Sequence, residues 1–546
     1  MCYSSSALHQ YLLIHDISNA VKEADRVLNS AEYSCDEARL ALRALIQSKE
    51  YALWKESYTK ASKRYPQLRY NRDILEDFAL QVLADSISHP SITVRAVNVL
   101  AMGLAGDFRV SPLLVKMLSD DSALVRTLAL QVVLRYGSED LKEEVVRIAC
   151  QDDFIHVRVV AYQIAALLGI EKLLPYLKER AHNSLVDGAE RREAWKASCM
   201  LDRELMDQSN IYNDIDQALI TCQMLHHEVN KRNEHIFLKL LSIESPEVQE
   251  AALLTALACG RDISCKSSDI AMKVRSLSQT SPFPKVRLQA AALLYLQGDS
   301  LGEKILEDGL RSPITSVMEA ASAAVCSLGI QGVHIAEKYV SSVVSKKASA
   351  NLAILLLVSR RSIEMAGDII AKFILNPEMC WAIEHFLWEE QWDPKYEVLP
   401  LYSSMVKREI SRKLIRLLAI AKYSKVKQVT ADFLSGQQSR AWSFFSGVFW
   451  EEGEEEDVVV SISDQESFAV NLETALANLC KKRDQDSLEK AIALYPNSQW
   501  HDKLAILEAV AFSENIESID FLLNCCQYET PSLRSAAAGA IFAIFK

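Results

Sequence analysis

The chain lacks the short patterns that site chemistry usually needs. Its 546 residues contain no phosphate-cradling glycine loop, no nucleophile elbow and no HExxH, so nothing marks a nucleotide, hydrolase or zinc-peptidase centre, and no catalytic residue is assigned. Glycine and proline are scarce, 16 and 13 residues, which argues against a low-complexity or loop-dominated chain. Twelve cysteines include no CxxC pair. Cys150, Cys259 and Cys326 fall in amphipathic runs, as buried thiols of a cytoplasmic protein would. The most apolar segment, Ala350–Val358, is far short of the roughly 18 residues of a membrane span. No basic start leads into a long apolar core. The net charge of −12 disfavours coating by a polyanion, so any nucleic-acid contact has to be local.

What is present is a frame. Six residues, each preceded by valine, are followed eleven places later by glycine: Arg95 with Gly106, Arg126 with Gly137, Arg158 with Gly169, Gln249 with Gly260, Arg287 with Gly298 and Met318 with Gly329. Five have alanine three residues on, and Asn98 is the exception. Between Ser111 and Gly169 the apolar spacing predicts a helix opened by Pro112, a break at Asp120 and Asp121, and a second apolar face on Leu124, Val125, Leu128, Ala129, Val132 and Val133. Glycine then stops the helix in the left-handed C′ conformation. A single hairpin cannot bury its apolar face, so such units must stack.

Pro112, Asp120 and Arg126 stand where the HEAT-repeat family places proline, aspartate and arginine, and Asp152 with Arg158 repeats the pair one unit later. The chain resembles that family from His89 to Gly169, more loosely from Ser245 to Gly329, and again at Leu533, Arg534 and Ala537. The resemblance implies an all-α solenoid, an α-α superhelix of stacked helical hairpins. It also implies that Asp120, Arg126, Asp152 and Arg158 form a structural ladder between repeats. Along the chain this gives an irregular helical cap over 1–88, regular repeats over 89–202, a helical connection over 203–244, and regular repeats again over 245–332. Degenerate repeats follow over 333–450, then an acidic insertion over 451–466 and C-terminal repeats with a cap over 467–546.

Where the frame disappears, other signals appear. Residues 403–428 hold Lys407, Arg408, Arg412, Lys413, Arg416, Lys422, Lys425 and Lys427 against Glu409 alone, a net +7. Arg408, Arg412 and Arg416 share one helix face. That face suits an acidic partner peptide, a phosphate or an anionic lipid, with a solvated ridge as the plainer reading. Aromatic groups flank it, and Trp442 and Trp450 border the acidic run Glu451–Asp457. Tryptophans of this kind anchor interfaces, although aromatics at helical spacing are more often core. Cys222 and His226 have ligand-like spacing near His227 and His235. No second paired motif accompanies them, so a buried cysteine beside surface histidines is favoured, and neither metal nor other cofactor is expected.

These signals predict a noncatalytic cytoplasmic scaffold or adaptor. It would bind one or more proteins with acidic or extended segments, through Lys407, Arg408, Arg412, Lys413, Arg416, Lys422, Trp442 and Trp450. The alternative is nucleic-acid or other polyanion binding through 403–428. A second alternative, a HEAT-like enzyme that attaches bilins or uses a metal, is weaker: iron-dependent hydroxylases of that type need several His-Glu dipeptides, and only His227 with Glu228 has that form.

Overall fold

A computed structural model describes residues 4–207, 214–225, 234–258, 268–359 and 482–545, with scattered positions over 361–369 and 472–479. Every regular element among the described residues is helical. The chain forms two compact units: Met1–Ile164 with Arg440–Lys546, and Ala165–Ser439.

The first unit contains α1 (Ser4–Leu13), α2 (Ile17–Leu28), α3 (Cys35–Ile46), α4 (Tyr51–Arg64), α5 (Arg72–Ser86), α6 (Ile92–Ala105), α7 (Ser111–Met117), α8 (Ala123–Val133), α9 (Glu139–Gln151) and most of α10 (Ile155–Leu167). The second holds α11 (Leu174–His182), α12 (Gly188–Leu201), α13 (Ile215–Leu225), α14 (Glu234–Ser242), α15 (Pro246–Ala258), α16 (Ser268–Thr280), α17 (Pro284–Leu296), α18 (Ser300–Leu310), α19 (Thr315–Cys326), α20 (Val333–Tyr339) and α21 (Lys346–Val358). The chain then returns to the first unit with α22 (Gln485–Leu494), α23 (Trp500–Ser513), α24 (Ile519–Tyr528) and α25 (Pro531–Ile544). No described helix is long and apolar enough to cross a membrane.

Local chemistry sets the helix ends. Ser34 and Glu37 close a reciprocal capping box on α3, satisfying amides that have no partner within the helix. Pro112 sits in the first turn of α7, where its missing N–H costs nothing. Gly106, Gly137, Gly169, Gly298 and Gly329 all take left-handed φ between 54° and 86°, which any other L-residue would hold only under strain. Gly260 lies outside the described residues.

Frame-bearing helices pack side by side. In the first unit α6 lies on α8, and in the second α15, α17 and α19 follow one another as neighbours, with α13 and α21, which lack the frame, continuing the row at either end. Asn98 sits where other repeats have alanine. The Ile87 N–H bonds to the Ala84 carbonyl, and the Asn98 amide donates instead to the Leu83 carbonyl at 2.9 Å, fully buried. That side chain satisfies a backbone acceptor near the end of α5. Deeper in this unit Trp54 stacks on Phe78 (4.0 Å between centroids) and Tyr58 (5.1 Å) while donating to the Leu42 carbonyl.

Candidate functional site

The turns before α8 and α10 carry a repeated polar geometry. Asp120 accepts from the Ser122 N–H (2.8 Å) and Asp152 from the Phe154 N–H (3.0 Å), so each carboxylate organises its own helix start. Each also receives an arginine from the preceding repeat. Arg95 Nε and Nη2 reach the two Asp120 oxygens at 2.7 and 3.0 Å. Arg126 repeats this on Asp152 at 2.7 and 2.9 Å. The remaining guanidinium nitrogen, Nη1, turns back to its own hairpin: Arg95 donates to the His89 and Pro90 carbonyls, Arg126 to those of Asp120 and Asp121. One arginine thus clamps its own turn and grips the next.

These pairs are largely removed from water, Arg126 being 12% and Asp152 6% exposed. Burial alone would raise the Asp152 carboxyl, but the Arg126 hydrogen bonds and the Phe154 N–H outweigh it, and the group sits below its usual range. The Phe154 ring lies 5.6 Å from the Arg126 guanidinium carbon. Bidentate, charge-assisted pairs of this kind hold position as well as contributing energy. Arg158 Nη1 donates to the Asp152 carbonyl at 2.6 Å, so Asp120, Arg126, Asp152 and Arg158 lie in one continuous set of contacts.

Beyond these turns the charge fades while the helix-start bond remains. At α17 and α19, Ser281 accepts from the Phe283 N–H and Ser312 from the Ile314 N–H, each two residues on, whereas α12 keeps a charged cap, Asp187. His89 does the same for Ser91 through Nδ1. At the other end of the chain Lys503 meets Glu529 at 2.9 Å across 26 residues, the separation seen between Arg126 and Asp152. Lys503 lacks the valine before it and the alanine three residues after it. The 25- or 26-residue spacing from base to acid was the signal that would have found it.

Lys407, Arg408, Arg412, Lys413, Arg416, Lys422, Trp442, Trp450 and the acidic run 451–457 lie outside the described residues, as do His226 and His227. Cys222 is buried, and burial pushes its thiol up to about 12. Among the described residues no three His, Cys, Asp or Glu side chains gather in a metal-holding group. No protein-family model matches this chain, and no curated protein matches it.

A second regular feature accompanies the ladder. The start of several frame-bearing helices presents an exposed apolar side chain: Ile92, Leu124, Phe154 and Ile155 in the first unit, Phe283 and Ile314 in the second, all between 41% and 58% exposed.

Proposed function

We propose that the protein is a noncatalytic interaction scaffold of the HEAT-like, α-solenoid kind, binding extended protein segments. The observation that carries this reading is the recurrence of an exposed apolar side chain two to four residues before the frame residue in several hairpins, beside turns that at α6, α8 and α17 are clamped by the frame arginine. An extended peptide running along such an edge meets one anchor per repeat, and a pre-ordered edge binds with less ordering entropy than a mobile one. Repeats with neighbour-only contacts provide such surfaces in general. The basic segment 403–428, with Trp442 and Trp450, is proposed as the place where an acidic part of the partner is held.

Capture from native cells tests this, with the intact chain compared against two variants. One carries Leu124→Glu, Phe154→Glu and Ile155→Glu; the other carries Arg408→Glu, Arg412→Glu, Lys413→Glu and Arg416→Glu. The reading expects a defined set of proteins to be lost with the first variant and a part of that set with the second. Capture unchanged by both variants sinks it.

A further inference from the structure

Of the 14 residues of α25, 12 are buried. The helix enters the N-terminal part of the first unit, against α5 and α6, with α23 and α24 on its other sides. The approach is close because the facing residues are small. A β-carbon on Gly539 would lie 2.5 Å from the Ala101 carbonyl oxygen and 2.9 Å from its Cα, so only glycine fits. Nearby, Ser535 Oγ donates to Ser86 Oγ at 2.8 Å within the buried seam. The neighbouring α24 segment adds a polar rim, Arg69 with Asp520 at 3.2 Å and Tyr70 with Glu517 at 2.9 Å.

On the opposite side of the seam, α6 has 11 of its 14 residues buried. Without α25, part of that apolar surface would face water, a loss proportional to the area uncovered. We propose that α25 is a closing element: α5 and α6 reach native stability only when the last helix is seated, and the first and last segments of the unit open together. Residues of α25 then control the integrity of helices that precede them by more than four hundred residues. Any event that releases α25, such as proteolysis or a competing partner, opens the N-terminal repeats too. This device is independent of what the scaffold binds.

Hydrogen exchange on the full chain tests it. Gly539→Val forces a branched side chain into the Ala101 backbone; exchange in α25 and in α5–α6 is expected to accelerate together, at least tenfold, with α17–α19 unchanged. Acceleration confined to α25, with α5–α6 still protected, is the behaviour of an ordinary fraying tail and overturns the proposal. Should that variant fail to fold, a Ser86→Cys, Ser535→Cys pair decides. Its oxidised form is expected to exchange more slowly than its reduced form in both α6 and α25. Oxidation that leaves α6 exchange unaltered overturns the proposal equally.

Discussion

Repeats α6–α10 and repeats α13–α21 use one backbone plan and different glue. In the former, neighbouring repeats are joined by largely buried Arg–Asp pairs. In the latter, neighbouring helices meet mainly through neutral groups: Thr255 donates to the Cys222 carbonyl (3.0 Å), Ser327 to Gln289 (3.0 Å) and Asn351 to Ser322 (3.1 Å), and the charged contact between α15 and α17, Lys285 with Glu250, is a long 3.7 Å with an exposed lysine. The frame residues there, Gln249 and Arg287, still clamp their own turns through the Ile243 and Ser281 carbonyls, and no ion pair joins Arg287 to a carboxylate among the described residues. Clamping the turn and tying repeats together are therefore separable tasks. Hydrogen bonding suffices for the first, and a charged pair adds the second.

Truncation at the frame is expected to have the largest effect. Arg126→Ala strips Asp152 of its partner and frees the Asp120 and Asp121 carbonyls, which is expected to cost the first unit about 2–3 kcal/mol, the range for hydrogen bonds to charged groups. Arg287→Ala removes a single carbonyl bond and is expected to cost about 1 kcal/mol. Denaturant titration followed by hydrogen exchange in each unit reports both values, and equal losses would erase the distinction.

Acid should act in the same sense. The Asp152 carboxyl is depressed in the folded state, so its contribution is complete above the ordinary carboxylate value of about 3.9 and disappears as pH falls through the lower folded value. Asp107, held down chiefly by its hydrogen bonds to Arg109, behaves alike. The depressed acids of the second unit, Asp299 beside Arg275 and Glu307 beside Lys338, belong to solvent-exposed pairs whose contributions water and salt screen. Limited proteolysis between pH 5 and 3 is expected to cut α6–α10 before α15–α19. The reverse order counts against a ladder that carries stability.

The gentlest test builds a missing rung. Ser312 stands 25 residues after Arg287, as Asp120 does after Arg95, and already caps its own turn. Ser312→Asp is expected to raise the second unit's stability by about 0.5–1 kcal/mol at low salt and to lose that gain at high salt. A salt-independent gain would show that the new carboxylate only caps the helix.

Much of this was legible in the residue order, for identifiable reasons. Helix ends were, because Pro112, Asp120 and the frame glycines act through their own backbone. The carboxylate partners of Arg95 and Arg126 were accessible through a repeated spacing. The setting of α25 was not, because its partners Ser86 and Ala101 lie far back in the chain and a small-residue face looks the same whether it meets a neighbour or a distant helix. The position of Lys503 escaped because its flanking residues differ, while its pairing with Glu529 keeps the ladder's spacing. The basic segment 403–428 was conspicuous by charge alone, and charge fixes no placement.

The return of α25 to α6 also bears on how the chain can vary. The two segments of the first unit are joined through everything between Ala165 and Ser439. The entropy of closing such a long connection grows only with the logarithm of its length, about 0.6 kcal/mol for a doubling. While that interval is still unfolded, hairpins gained or lost within it therefore change the entropy of closing the seam only slightly. The corresponding burden is kinetic: a contact made across so much sequence forms late.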